Sequence, residues 1–153
     1  MWFLTGELLM KIDEYNFPDD LYYHKEHLWA KVEGDFVVVG LTDFTQKMAG
    51  TIKRIATLEE DDEVSQDKPF GTMSSGKWTG KLYSPISGEI TEVNEDVSDN
   101  PKLCNEDPYG KGWIIKVSPT DLDTELSKLM KIGPEFETWI KKEIVEKKAL
   151  MEK

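Results

Sequence analysis

The sequence has little cysteine, little histidine and no long apolar run. A single cysteine, Cys104, excludes an internal disulfide and any cysteine-rich zinc site, and we interpret it as a small buried side chain. No stretch approaches the roughly 20 apolar residues of a membrane-spanning helix. The apolar start MWFLTGELLM lacks the basic region and the small-residue cleavage site of a signal peptide. We therefore expect a cytoplasmic protein.

Basic residues are scarce relative to acidic ones. The 153 residues include 19 Lys and Arg against 30 Asp and Glu, which gives a formal net charge of −11. Nucleic acids and anionic membrane surfaces would repel such a chain, so neither is expected as a partner. A composition of 39% hydrophobic and 32% charged residues is that of a globular protein, and the length suits one core.

Candidates for catalysis or metal binding are few. His24 and His27 are the only histidines. Their spacing of three in a strand-like segment would place them on opposite faces, and we interpret both as structural. A hydrolase needs a nucleophile with a base, and a metal enzyme needs a cluster of ligands. We expect no catalytic residue and no metal site.

Turn signals and apolar patterning predict a mainly β chain from residue 21 to about 117. Strands are expected at 28–32 and 36–39, joined as a hairpin through a turn at 33–35. A short helix is expected at 42–48, beginning at Thr42 or Asp43 and ending before Gly50.

An internal repeat predicts the architecture. Residues 50–55 match residues 88–93, and each copy leads to an acidic turn, a valine (Val64 or Val97) and a proline. Two copies of one strand-turn-strand unit predict two small sheets related by a pseudo-twofold axis. Burying a shared face would give a sandwich or flattened barrel.

The end of the chain changes to helical spacing. Apolar residues in 121–130 and 135–150 recur at the helical period, and Gly133-Pro134 separates the two segments. We expect an N-terminal extension at 1–20, one domain at 21–120, and a C-terminal helical segment at 121–153 packed on that domain.

The two repeats are joined by the segment TMSSGKWTGK at 72–81. Strands are expected at 69–73 and 82–84, and the serines and Gly76 supply the chemistry of a hairpin turn. Lys77 directly follows Gly76, so we expect it at or beside the tip and exposed to solvent. From hairpin geometry alone, an unmodified surface lysine is the simpler interpretation, although an arm attached there could swing between sites.

The residues around this hairpin resemble the lipoyl-attachment segment of glycine-cleavage H proteins. The matching residues are Phe70-Gly71, Lys77, LYSPISGEI at 82–90, LYY at 21–23, HLW at 27–29, VGLTDF at 39–44 and NEDPYGKGWIIK at 105–116. The resemblance covers about residues 17–135 in the same order. It implies a lipoyl-domain-like sandwich or flattened barrel (a hammerhead, or barrel-sandwich hybrid) with a short internal helix and C-terminal helices.

The resemblance implies a carrier rather than an enzyme. In this family lipoic acid is joined to the hairpin lysine as N6-lipoyllysine, here Lys77, with Ser74, Ser75, Gly76 and Trp78 forming the hairpin around it. The arm would shuttle an aminomethyl group between glycine decarboxylase, an aminomethyltransferase and dihydrolipoyl dehydrogenase. A lipoate ligase or lipoyltransferase would attach the arm.

The tip also departs from the family pattern. The family usually reads Glu-Ser-Val-Lys-Ala, where this chain has Ser74-Ser75-Gly76-Lys77-Trp78. Loss of the acid at Ser74 puts the standard partners in doubt, and Gly76 makes the tip more flexible. Trp78 could shield the arm, anchor a contact, or pack on the hairpin's own face.

These departures leave a second cargo open. Similar lipoate-binding paralogues in bacterial and archaeal sulfur oxidation work beside heterodisulfide-reductase-like complexes and would carry sulfur. Biotin carriers also present a hairpin lysine, but they usually flank it with methionines. An unmodified scaffold or regulator is a third class, against which the retained Lys77 argues.

Overall fold

A computed structural model describes residues 9–76 and 78–151 of the chain, so Lys77 lies outside the described residues. The strands are β1 Leu9–Ile12, β2 Tyr15–Pro18, β3 Tyr22–Tyr23, β4 Leu28–Glu33, β5 Phe36–Leu41, β6 Ile52–Thr57, β7 Glu63–Val64, β8 Pro69–Ser75, β9 Thr79–Tyr83, β10 Gly88–Val93 and β11 Ile115–Pro119. The helices are α1 Asp43–Ala49, α2 Glu95–Asp99, α3 Leu103–Glu106, α4 Leu122–Leu126 and α5 Pro134–Met151. None of the helices described is long and apolar enough to cross a membrane.

Most of the strands form two main sheets. Within each sheet, all the described neighbouring strands are antiparallel. One sheet has the order β3-β4-β5-β11-β10-β7, and the other has the order β6-β8-β9. Buried residues of both sheets, such as Val117 of the first and Met73 of the second, belong to one apolar core. The fold is therefore a mainly β sandwich, which confirms the predicted fold class, and the sheets do not close into a barrel.

Local signals in the sequence correctly predicted the β4–β5 hairpin and helix α1. β4 and β5 pair from Leu28↔Leu41 to Glu33↔Phe36 around the turn at Gly34, whose φ of 58° suits glycine. At the start of α1, the Thr42 hydroxyl accepts a hydrogen bond from the Thr45 N–H at 3.3 Å. Gly50, with a φ of 79°, follows the last residue of the helix.

The two repeats diverge after their first strands. β6 and β10 lie in different sheets, but β6 leads to the short strand β7, whereas β10 leads to helix α2. Val64 therefore lies in a strand, and the expectation of a second strand at Val97 was wrong, since Val97 is buried within α2. Asn94 explains the helix, because its side chain accepts from the Asp96 N–H at 3.2 Å at the position that caps the first turn. The pseudo-twofold axis stays a prediction.

A second core lies beside the sandwich. It is formed by the N-terminal hairpin (β1 and β2, residues 9–18), by α1, by α5 and by residues of the larger sheet, and its buried rings include Trp29, Tyr15, Phe17, Tyr23, Phe44 and Phe136. α5 begins at Pro134, where the sequence predicted a helix start, while α4 is shorter than the predicted helix at 121–130. The division of the chain at residues 20 and 120 stays a prediction.

Candidate functional site

The predicted hairpin between the repeats is present. β8 and β9 pair from Pro69↔Tyr83 to Ser74↔Thr79, and the Ser75 N–H donates to the Trp78 carbonyl at 2.7 Å. Gly76 and Trp78 occupy the tip, and both are exposed. Lys77 joins these two residues in the chain and lies outside the described residues, so its role as cofactor site stays a prediction.

Buried apolar side chains attach both strands of this hairpin to the core. Phe70, Met73 and Leu82 are at most 2% exposed and point into the sandwich core. Close packing of β8 on β6 also requires glycine at position 71, where a side-chain Cβ would lie 2.3 Å from the Ala56 carbonyl oxygen. The hairpin is thus fixed to the core at its base and projects at its tip.

Trp78 folds back along the hairpin. Its ring covers Gly80 so closely that a Cβ on Gly80 would lie 2.7 Å from a ring carbon. The side chain nevertheless remains 42% exposed. Trp78 therefore packs on the hairpin itself, as one of the sequence-based interpretations had it, and the exposed part of its side chain is available for further contacts.

A cleft of about 300 Å³ lies beside the tip. Its walls come from four parts of the chain: the β3–β4 connection with His27, α1 with Phe44 and Met48, the hairpin with Trp78 and Tyr83, and α5 with Leu150. The charged groups that line it are Glu26, Lys81 and Lys147. The cleft is thus largely apolar and bears charges of both signs.

His27 holds α5 against this cleft. It lies in the connection between β3 and β4 rather than in a strand, with a φ of 69°. Its ring stacks on Trp139 at 5.0 Å, and its Nε2 lies 2.8 Å from the Glu143 carboxylate. Burial is the dominant influence and lowers the pKa of His27 below 6.5, although Glu143 acts in the opposite direction. Near neutral pH a neutral imidazole therefore donates to Glu143.

His24 has a separate structural role. Its Nδ1 accepts from the Glu26 N–H at 3.0 Å, so its Nε2 donates to Asp67 at 2.6 Å. This hydrogen bond lowers the pKa of the Asp67 carboxyl. The expectation that the two histidines share a strand was wrong, because the chain turns between β3 and β4. Within the described residues no group of three or more His, Cys, Asp or Glu could hold a metal ion.

The chain's only cysteine is inert. Cys104 is fully buried, as expected from the sequence, and burial raises the pKa of its thiol to about 12. Trp113, in the connection from α3 to β11, is only partly buried. Its ring instead lies 4.8 Å from the Lys116 ammonium on the outer face of the larger sheet.

Sequence reasoning missed the cleft. Its walls are contributed by segments as far apart as Glu26 and Leu150, and no local pattern connects them. The signal available in the sequence was Leu150, an apolar residue near the Lys- and Glu-rich end of a predicted helix. The structure shows its side chain exposed.

Comparisons with known proteins give one consistent family. The family model described as glycine cleavage H-protein matches residues 21–143. The chain is 49% identical over 106 residues to a glycine cleavage system H protein of Halalkalibacterium halodurans, covering 69% of this chain and 83% of that protein. It is 44% identical over 126 residues to the corresponding protein of Bacillus licheniformis, covering 82% and 98%. A crystal structure of a glycine cleavage system H protein from Mycobacterium marinum matches with a TM-score of 0.66 and 34% identity, over 68% of this chain and 87% of that one.

Proposed function

The chain belongs to the glycine cleavage H-protein family, and we propose that its carrier role depends on a lipoyl group joined by an amide bond to Lys77. It is a carrier protein of glycine cleavage, like the relatives that it matches. The proposal adds the position of the arm, the absence of catalysis by the chain itself, and the enzymes that the arm visits.

The observation that carries the proposal is the position of the two neighbours of Lys77. Gly76 and Trp78 lie at the exposed tip of a hairpin whose base is buried in the core. Since Lys77 joins these two exposed residues in the chain, we expect a modifying enzyme to reach it, and Trp78 beside it lines the cleft. Amide formation would also remove a positive charge from the tip.

The cleft beside the tip fits the arm. A bound lipoyl group supplies a disulfide that opens to accept a group on one sulfur and closes again on oxidation. Trp78, Phe44 and Met48 offer apolar surface suited to a hydrocarbon chain, and contact with them would exclude water. His27 and Glu143 keep α5 in place as the opposite wall. The chain's residues thus bind and shield, and none of them acts on the cargo.

Membership of the glycine cleavage system implies a decarboxylase and an aminomethyltransferase as partners. We extend this to dihydrolipoyl dehydrogenase for reoxidation and to a lipoate ligase or lipoyltransferase for attachment. Ser74 lacks the acid that the family usually has, so these enzymes must recognise other features of the tip, of which Trp78 is the largest. The relatives described above favour the aminomethyl cargo, and none of the findings supports the sulfur cargo.

The first prediction tests the attachment site. After incubation with lipoate, ATP and a lipoate ligase, intact-mass analysis of the wild type should show a single lipoyl adduct. Lys77→Arg should show none, because arginine keeps the charge but offers no acylatable amine. Lys81→Arg, four residues away on the same hairpin, is the matched control and should be modified like the wild type.

The same proteins then test the cargo. The lipoylated wild type should support glycine-dependent release of CO2 by glycine decarboxylase, and Lys77→Arg should not. A lipoyl adduct that persists in Lys77→Arg would place the arm elsewhere. Failure of the lipoylated wild type under conditions where another H protein is active would contradict the aminomethyl cargo.

A further inference from the structure

The N-terminal hairpin lies outside the region shared with the family. It comprises residues 9–18, whereas the family match begins at residue 21. Its two large aromatic side chains, Tyr15 and Phe17, are each only 1% exposed. The hairpin is therefore an integral part of the second core and not a loose addition.

One side of the hairpin packs on the back of helix α1. The Tyr15 ring meets the Phe44 ring edge-on at a centroid distance of 5.0 Å, and its hydroxyl lies 3.7 Å from the Met48 sulfur. Next to it, the Asn16 N–H donates to the Asp43 carboxylate at 3.0 Å. Phe44 and Met48 also line the cleft, so Tyr15 supports two wall residues from behind.

The turn of the hairpin also reaches α5. The Lys47 ammonium of α1 donates to the Glu14 carbonyl at 2.5 Å, and the Lys148 ammonium of α5 lies 3.8 Å from the Glu14 carboxylate. Both ammonium groups lie 5.7 Å from the centre of the Tyr15 ring. The hairpin turn thus bridges the two helices that form the walls of the cleft.

From these contacts we propose that the N-terminal hairpin is a positioning element for the lipoyl arm, and that Tyr15 is the positioning residue that fixes the cleft wall formed by Phe44 and Met48. The inference rests on the proposed function, because it concerns the cleft that would receive the arm. Without the Tyr15 ring, Phe44 and Met48 lose the surface behind them and can withdraw from the cleft. A wider cleft would hold an apolar arm less closely and admit water.

The experiment measures how far the reduced arm is shielded. The lipoylated chain is reduced to the dithiol and treated with iodoacetamide, and the rate of alkylation is followed by intact mass, with free dihydrolipoamide as reference. Each alkylation forms one carbon–sulfur bond, releases iodide and transfers the thiol proton to water. Cys104 is buried, so the unlipoylated chain should react negligibly and the signal reports the arm.

The variants separate positioning from general stability. Tyr15→Ala should raise the alkylation rate about fivefold or more, whereas Tyr15→Phe, which keeps the ring, should stay within about twofold of the wild type. Phe17→Ala is the matched control, since Phe17 is equally buried in the same hairpin but contacts Tyr23 and Phe136, neither of which lines the cleft. It should lower the melting temperature similarly but leave the alkylation rate within about twofold of the wild type. Tyr15→Leu replaces Tyr15→Ala if the alanine variant does not fold.

The possible outcomes are distinct. The inference is overturned if Tyr15→Ala or its leucine substitute shields the arm as well as the wild type does, or if Phe17→Ala exposes the arm to the same extent. If the arm of the wild type reacts as fast as free dihydrolipoamide, the cleft does not shield it. That result would contradict this part of the proposed function and the inference that rests on it. Attachment at Lys77 is tested separately by the mass adduct.

Discussion

Replacing Asn105 by alanine should destabilise the chain more than a typical polar substitution. The side-chain oxygen accepts a hydrogen bond from the Ile52 N–H at 2.9 Å. The side-chain nitrogen donates to the Gly50 carbonyl at 2.8 Å and to the Gln46 side-chain oxygen at 3.0 Å. One amide of α3 thus joins the end of α1 to the start of β6.

The magnitude follows from burial. Ile52 is 1% exposed, so little water can replace the lost acceptor of its N–H group. An unsatisfied buried donor costs about 1–3 kcal/mol, and with the Gly50 carbonyl also losing its donor we expect a loss of about 2–4 kcal/mol in the free energy of unfolding. For a chain of this size that corresponds to a fall of about 5–15 °C in melting temperature.

Urea and thermal unfolding followed by circular dichroism measure this loss. Asn105→Asp should be intermediate, since it keeps an acceptor for Ile52 but loses the donor to Gly50. Asn100→Ala, at an exposed asparagine after α2, is the control and should change stability by less than about 0.5 kcal/mol. If Asn105→Ala is as stable as this control, the three contacts contribute nothing net and the reasoning is refuted.

Two further predictions concern pH and backbone packing. Because burial holds the pKa of folded His27 below 6.5, the unfolded chain takes up the proton first as the pH falls. This contribution to stability should be complete above about pH 6.5 and be lost toward the folded pKa, with a slope of at most about 1.4 kcal/mol per pH unit. Urea unfolding between about pH 7.5 and 5.5 should show a smaller slope for His27→Gln, and an unchanged slope would assign the effect to other groups. Gly88→Ala should cost about 1–3 kcal/mol, because its Cβ would lie 2.1 Å from the Ser118 carbonyl oxygen and force β10 away from β11. Gly133→Ala, whose Cβ would have no neighbour nearer than 4.0 Å, is the control in the same unfolding assay, and equal losses would contradict the packing argument.

The features that the sequence predicted correctly are those specified locally. The helix from Asp43 to Ala49 has its capping threonine and its terminating glycine as direct neighbours, so its limits can be recognised without knowledge of the fold. The hairpin that carries Lys77 was similarly marked by turn residues between apolar runs. The sandwich was inferred indirectly from the internal repeat, because two matching strand segments need a shared buried face.

The features that the sequence did not predict depend on contacts between distant segments. Residues 9–18 fall in the segment that was predicted only as an N-terminal extension, yet they form a hairpin because Tyr15 and Phe17 are buried against α1 and α5. Val97 follows an acidic turn like Val64, but the Asn94 cap makes that stretch a helix. The cleft combines residues that are more than 100 positions apart in the chain, which no pattern within a short window can indicate.

Trp78 belongs both to the hairpin tip and to the cleft beside it. It is one of three departures from the usual tip sequence, and it is also a wall of the cleft. An alanine, which the family usually has here, could not cover Gly80 or reach over the cleft in this way. The change therefore alters the surface that a partner enzyme meets and the surface against which an arm would rest. Because Cys104 is buried and weakly acidic, the chain offers no reactive thiol of its own, and thiol chemistry must be supplied by an attached group. What the sequence can tune is how such a group would be held and presented, and we propose that Trp78 affects both from a single position.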